Sequence, residues 1–304
     1  MSRERLYIVN PTNPLEEKRE FLITGEIPVT FRGSRIFFAT SLEDTQVVIK
    51  IPKDGQSAER EWDGLTKTSA VGIPVPKPIL VGLNDLGQSC IVSERIYGEL
   101  LFLNHGYEAR MQLGQTIRQI HTRVAIEGVE WLKSGRSDYA YYDEKIKLWG
   151  GKQELIGDNS PFTQHLFQAL SLSMIDYCSK TLPVFNHNDI HDGQVIRSNE
   201  GRCVLIDFGS WIEDRPMNDL GFYLFHCLRN DTKFGMFKGF MRGYFERDSL
   251  NEADKQALIF NLLFISTRAV VIFSTFRPEY VETARENHQK VLKFIEGETL
   301  WKEL

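Results

Sequence analysis

Two aspartates of this chain stand where a carboxylate can do chemistry. Asp189 lies in the polar run FNHNDIHDGQVI at 185–196, and Asp207 ends the following strand-like run CVLID at 203–207. A hairpin of this length can bring two carboxylates to one end, where they could bind a divalent metal ion and act as a general base. Aspartates that only close a loop or turn give the same pattern, so both interpretations stay open on these residues alone.

A lysine inside a strand pattern adds a cation to this set. Lys50 lies in VVIKI at 47–51, and Glu61 follows eleven residues later on a predicted helix. A lysine in a strand either reaches solvent from an edge or holds an anion. A lysine held by a helix carboxylate and directed at phosphate oxygens is the positioning device of kinases, whereas a solvated surface pair is the alternative interpretation.

The elements that must position these residues change in kind near residue 97. Before it, β-rich runs separated by turn residues predict strands, and one helix interrupts them at 57–70, with Ser57 as N-cap and Gly72 beyond its end. After it, apolar residues at helical spacing predict helices, apart from a strand–loop–strand at 184–209. The predicted strands are 28–31, 36–40, 47–51, 79–83 and 90–95, and the predicted helices are 108–124, 161–179, 219–229, 234–245, 251–276 and 279–296.

This order predicts an α+β fold of two lobes. The first is a small antiparallel-sheet lobe over residues 1–96, and the second is a larger, mainly helical lobe over residues 97–304. Ligand sites are common in a crevice between such lobes.

Composition excludes several classes of protein. The 304 residues are 42% hydrophobic and 25% charged, which are ordinary globular values, and the net charge of −5 argues against nucleic acid or a membrane surface as partner. The apolar stretch 257–276 is interrupted by Asn261 and Arg268, so we expect a buried helix and not a membrane span. The first ten residues lack a secretory signal, and the cysteines fit no zinc or disulfide pattern, which predicts a cytoplasmic protein. The cysteines are Cys90, Cys178, Cys203 and Cys227.

Taken in order, these segments resemble the aminoglycoside phosphotransferase and choline kinase family, which has the protein-kinase-like fold. Asp189 matches the catalytic aspartate of the family's H-G-D-x-x-x-x-N loop, here H-N-D-I-H-D-G-Q. Asp207 matches its metal-binding aspartate, and Lys50 its nucleotide lysine. Glu61 fits the helix glutamate, because the GIPVP at 72–76 that follows is similar to the family's G-V-P-V-P. The runs LGQ…IH at 113–121 and DLG at 219–221 extend the resemblance over about residues 20–230.

The resemblance implies a kinase that uses Mg²⁺ with ATP or GTP and phosphorylates a hydroxyl of a small molecule. Lys50 would hold the α- and β-phosphates, Asp207 would bind the metal, and Asp189 would orient the acceptor hydroxyl and accept its proton. The loop 31–35, with Ser34, would cover the phosphates. The hinge 93–96, with Glu94 and Ile96, would offer backbone hydrogen bonds to the base.

Two residues depart from the family pattern. Gln194 replaces an asparagine that is a second metal ligand, and its amide lies one methylene further out, which matters because Mg²⁺ requires near-octahedral geometry. Asp192 stands where many relatives have proline. The loop 31–35 also has only one glycine, Gly33.

Other functions remain open. The glutamine and the glycine-poor loop suit a pseudokinase or nucleotide-binding interaction module. A Ser/Thr protein kinase would need an activation segment, and only nine residues separate Gly209 from Asp219. A metalloenzyme built on His187, Asp189 and His191 would leave Lys50 unexplained. For a small-molecule kinase, the excess of 28 acidic over 24 basic residues in 97–304 favours a cationic acceptor.

Overall fold

The structure is a computed structural model, and it divides into two compact units. It describes residues 4–10, 18–27, 33–53, 55–101, 106–133, 140–141, 144, 161–230, 234–246 and 250–297. The first unit comprises Met1–Leu101 and Asp192–Trp211, and the second comprises Phe102–His191 and Ile212–Leu304. The sequence predicts contiguous lobes of residues 1–96 and 97–304. In the structure, by contrast, Asp192–Trp211 groups with the first unit, because one of its strands pairs with a strand at residues 98–100.

Six strands of the first unit form a closed antiparallel barrel in the order β1-β2-β3-β4-β6-β5. They are β1 (Arg5–Val9), β2 (Arg19–Ile27), β3 (Arg35–Ser41), β4 (Gln46–Ile51), β5 (Pro78–Asn84) and β6 (Ser89–Glu94). Helix α1 (Gly55–Ala70) joins β4 to β5. Side chains of a strand alternate between its two faces, so the buried Val47, Ile49 and Ile51 fill the barrel while Lys50 lies on its outer face.

A second, three-stranded sheet completes the first unit. Strand β7 (Gly98–Leu100) pairs with β9 (Val195–Ser198), which pairs with β10 (Cys203–Leu205), all antiparallel. Short 3₁₀ helices at Asp192–Gln194 and Phe208–Ser210 flank these strands.

The described part of the second unit is mainly helical. Its helices are α2 (Gly106–Arg123), α3 (Glu130–Lys133), α4 (Pro161–Lys180), α5 (Met217–Arg229), α6 (Phe234–Phe245), α7 (Glu252–Phe276) and α8 (Val281–Glu296). Strands β8 (Val184–Asn186) and β11 (Ile212–Asp214) form a two-stranded antiparallel sheet in the same unit. Helices α2 and α6 approach closely, since a Cβ built on Gly114 would lie 2.0 Å from the Phe240 carbonyl oxygen and one on Gly243 1.9 Å from that of Met111.

Helix α7 is the only described helix long and apolar enough to cross a membrane. However, 72% of its most apolar 18-residue stretch is buried inside the protein. It packs against α4, α5 and α8, which is the position of a core helix. The Asn251 side chain caps its N-terminus by accepting a hydrogen bond from the Asp254 backbone N–H at 2.8 Å.

Most predicted elements agree with the structure to within two residues at each end. The predicted N-cap at Ser57 is wrong, because α1 begins at Gly55 and therefore includes Ser57 in its first turn. Strands β1 and β2 were not predicted. The strand predicted at 28–31 lies outside the described residues. None of the four cysteines forms a disulfide, and all are buried.

Candidate active site

Lys50, Glu61 and Asp207 meet in the first unit. The Lys50 ammonium lies 2.7 Å from Glu61 Oε2 and 2.6 Å from Asp207 Oδ1. The lysine comes from the outer face of β4, the glutamate from α1, and the aspartate from the segment after β10. The side chains of Lys50 and Glu61 are only 13% and 8% exposed, so these two are largely shielded from water, whereas that of Asp207 is 30% exposed.

Burial and charge act in opposite directions in this cluster. Burial alone lowers the pKa of Lys50, but the charges of Glu61 and Asp207 outweigh it and hold the pKa above its ordinary value. Burial, assisted by the charge of Asp207 and opposed by that of Lys50, raises the pKa of Glu61 to about 6. The ammonium is therefore charged throughout the physiological range, while Glu61 titrates just below neutral pH.

Asp207 has a left-handed backbone conformation, with φ 65° and ψ 64°. Such a conformation is uncommon for a residue other than glycine and is concentrated at functional sites. The next turn is anchored to α1, because the Trp211 indole N–H donates to the Arg60 carbonyl at 2.8 Å. The backbone just before Asp207 is also bonded to Gln194, since the Ile206 N–H donates a hydrogen bond to the Gln194 carbonyl at 2.9 Å.

Asp207 and Gln194 are the residues that could hold a metal ion. Carboxylate and amide oxygens are the ligands that Mg²⁺ takes from proteins, so the residue types fit. In the structure, the Gln194 amide nitrogen donates to Asp207 Oδ2 at 3.0 Å, while Oδ1 accepts from Lys50. A half-turn of the Gln194 amide would bring its oxygen to the carboxylate instead, and only a cation between them would favour that orientation.

The alternative metal site is not formed. Within the described part of the chain, no group of three or more His, Cys, Asp or Glu side chains is arranged to hold a metal ion. His187, Asp189 and His191 all belong to that part. The H-x-D-x-H metalloenzyme hypothesis is therefore not supported.

Asp189 lies in the second unit, in a loop whose backbone donates hydrogen bonds to a buried carboxylate. Asp219, in the first turn of α5, accepts the backbone N–H of His187 at 2.8 Å with Oδ2 and that of Asn188 at 2.7 Å with Oδ1. Asn188 has a left-handed φ of 62°, a conformation that asparagine tolerates better than most residues. The two residues before Asp189 are thus fixed, while Asp189 itself is half-buried.

Three further side chains extend this support. His121 Nε2 lies 3.2 Å from Asp219 Oδ2, and His121 Nδ1 lies 2.8 Å from the Tyr244 hydroxyl. The Asp219 backbone N–H in turn donates to Asn186 Oδ1 at 3.3 Å. All four side chains are buried, so the interactions act in a low-dielectric interior. The sequence placed His121 and Asp219 only in runs that resemble the family, and it carried no signal for Tyr244.

The other predicted site residues lie in the first unit. Ser34 is buried immediately before β3, and Ile96 is half-buried between β6 and β7. Glu94 is exposed at the end of β6, where its side chain accepts the Lys77 backbone N–H at 3.3 Å. Residues 31 and 32 of the predicted phosphate loop lie outside the described residues. The contacts of these residues with a nucleotide stay predictions.

Comparison with known families agrees with this geometry. The model of the phosphotransferase enzyme family matches residues 31–253. The match covers well over half of the chain and spans the lysine cluster and the Asp189 loop. The chain therefore belongs to the phosphotransferase enzyme family. A comparison with curated protein sequences finds no match.

Solved structures share the fold at low sequence identity. A choline/ethanolamine kinase family protein from Mesorhizobium loti has a TM-score of 0.63 at 13% identity, with 89% of each chain covered. The GDP complex of aminoglycoside 2'-phosphotransferase-IIIa has a TM-score of 0.58 at 15% identity, covering 88% of this chain and 91% of the other. An amicoumacin kinase in complex with AMP-PNP, Ca²⁺ and Ami has a TM-score of 0.57 at 15% identity, covering 97% and 91%. The likeness places the chain in an α+β kinase fold.

Proposed function

We propose that this protein is a Mg²⁺-dependent kinase that transfers the γ-phosphoryl group of ATP or GTP to a hydroxyl of a small molecule. The observation that carries the proposal is the Lys50 ammonium between Glu61 and Asp207, at 2.7 and 2.6 Å. Three separate segments of the chain supply these residues, and the arrangement is the one by which kinases aim a lysine at phosphate oxygens.

In this mechanism, the first unit binds the nucleotide. Lys50 holds the α- and β-phosphates, and Glu61 keeps its ammonium directed towards them. Asp207 and Gln194 would bind the metal, which when present neutralises negative charge on the phosphate oxygens. Ser34 lies in the segment that would cover the phosphates.

The hinge would bind the base through its backbone. Ile96 supports this role, because no described residue accepts a hydrogen bond from its backbone N–H. An unused donor on a half-buried residue is available to a ring nitrogen of a purine. Glu94, in the same segment, would contribute its backbone carbonyl as an acceptor for the base.

Asp189 would act on the acceptor. It orients the acceptor hydroxyl and takes its proton as the acceptor oxygen bonds to the γ-phosphorus and the bond to the β-phosphate oxygen breaks. The hydrogen bonds from His187 and Asn188 to Asp219 support this role, because phosphoryl transfer depends mainly on positioning.

The acceptor is proposed to be a small, cationic molecule. The names of the structural neighbours include choline/ethanolamine, aminoglycoside and amicoumacin kinases. The acidic balance of residues 97–304 is in keeping with a cationic acceptor. The proposal places the enzyme in the cytoplasm, where both nucleotides are available, with neither nucleic acid nor a membrane as partner.

A phosphorylation screen of amines, sugars and antibiotics with Mg²⁺ and either nucleotide tests the proposal. We expect transfer to at least one acceptor, and we expect Asp189→Asn to abolish it. Asp176→Asn is the matched control, because Asp176 is an exposed aspartate on α4 paired with Lys180. Nucleotide binding without transfer would identify an interaction module instead, and transfer to casein-like peptides would identify a protein kinase.

A further inference from the structure

Arg95 follows β6 and contacts two aromatic rings. Its guanidinium carbon lies 4.0 Å from the ring centroid of Phe38 and 4.9 Å from that of Tyr97. Its backbone N–H donates to the Gln46 carbonyl at 3.3 Å, which continues the pairing of β6 with β4. These contacts keep the planar head group beside the two rings at the end of the strand.

The arginine lies on the same face of the barrel as Lys50. Lys50 is paired with Ile91 in the β4–β6 register, and directly opposed residues direct their side chains to one face. Residues 91, 93 and 95 share that face because strand side chains alternate. Arg95 is therefore displaced from Lys50 by four residues along the strand direction, about 13 Å.

The hydrogen-bond donors of Arg95 are unused by the described residues. No oxygen atom of the described residues accepts a hydrogen bond from the guanidinium, and no carboxylate of these residues forms an ion pair with it. A guanidinium carries five N–H donors in its plane and has no acceptor. With no partner among the described residues, these donors are available to a flat ligand that presents acceptors.

We infer that Arg95 recognises the edge of the purine base and selects a 6-oxopurine nucleotide, such as GTP, over ATP. The inference rests on the proposed function, since it takes Lys50 as the phosphate ligand. Arg95 would thus be a side chain that determines which nucleotide is used, in addition to the backbone groups of the hinge.

The preference follows from the pattern of donors and acceptors on the two bases. Guanine presents O6 and N7 as adjacent acceptors, which an arginine can engage with two N–H groups. Adenine presents N7 beside an amino group, and that amino group is a donor that opposes a second arginine N–H. A bidentate contact of this kind discriminates between bases by about tenfold or more.

Calorimetric titration of the full chain with GDP, IDP and ADP in the presence of MgCl₂ tests the inference. IDP has the 6-oxo group of GDP but lacks its 2-amino group, so it isolates the contact proposed for Arg95. We expect GDP and IDP to bind about tenfold more tightly than ADP. Arg95→Ala should bring the three affinities together, and Arg95→Gln should favour ADP, because an amide can both donate to N7 and accept from the amino group of adenine.

Lys67→Ala serves as the matched control. Lys67 also lies over an aromatic ring in the first unit, 4.5 Å from the centroid of Trp211, and its loss should leave the ratio of affinities unchanged. Equal binding of GDP and ADP by the wild type, or an unaltered ratio in Arg95→Ala, would overturn the role of Arg95 alone. Failure of all three nucleotides to bind would overturn the proposed function together with this inference. Thermal denaturation of each variant shows whether it is folded.

Discussion

The substitution Glu61→Gln should remove a pH dependence of stability that the buried cluster imposes. The folded-state pKa of Glu61 is about 6, against an ordinary value of 4.5. Because this pKa is raised on folding, the neutral carboxyl is favoured by the folded state. The associated stability is fully present below pH 4.5 and is lost as the pH rises through 6.

The size of the effect follows from the difference between the two pKa values. One pKa unit corresponds to about 1.4 kcal/mol, so the ionisation of Glu61 should lower the free energy of unfolding by about 2 kcal/mol between pH 4.5 and pH 7. Glutamine cannot ionise and has nearly the same shape as the protonated glutamate. The difference in stability between wild type and Glu61→Gln should therefore change by this amount over that interval.

Urea denaturation at half-unit pH steps from 4 to 8 measures this difference. Glu59→Gln is the matched control, because Glu59 is an exposed glutamate on the same helix, and its difference from wild type should stay flat. A Glu61→Gln difference that is also flat, or one in which the wild type gains stability above pH 4.5, would refute the reasoning. Weaker nucleotide binding by Glu61→Gln at pH 7.5 is expected in parallel, since Lys50 then loses one of its two carboxylate partners.

Three further substitutions test other parts of the structure. Gln194→Asn should preserve or raise phosphoryl transfer in the presence of Mg²⁺, and a large loss in rate would show that the longer amide is adapted to this loop. Tyr244→Phe should destabilise the protein by about 1 kcal/mol by removing the hydrogen bond to His121, and it should lower kcat more than it changes KM for the nucleotide; equal stability in urea would contradict the buried contact. Gly114→Ala should lower the Tm by several degrees, because its Cβ would lie 2.0 Å from the Phe240 carbonyl oxygen, whereas Gly235→Ala, where a Cβ meets nothing within 4 Å, should not.

The sequence predicted the lysine cluster because its residues carry local signals. Lys50 stands in a strand of β-branched residues, Glu61 follows on an amphipathic helix, and Asp207 ends an apolar strand. The ordered resemblance to a family then joined three segments that no local pattern connects. The described structure confirms that these side chains meet.

The support beneath the Asp189 loop could not be predicted in the same way. Asp219, His121 and Tyr244 are joined by contacts that span 98 and 123 residues, and no local sequence pattern links them. Strands β1 and β2 were missed because their alternation is weak. In β1, four apolar or aromatic residues follow Arg5 without alternation, and in β2 a register shift between Ile23 and Gly25 interrupts the period of two.

The grouping of Asp192–Trp211 with the amino-terminal barrel bears on how the chain is made. Lys50 and Asp207 are 157 residues apart. At about 5–20 residues per second, a ribosome needs roughly 8–30 s to synthesise the stretch between them. During that interval the nascent barrel holds a lysine with one of its two carboxylate partners, and β7 lacks the strand that it pairs with. The first unit therefore cannot be completed until about two thirds of the protein has been translated.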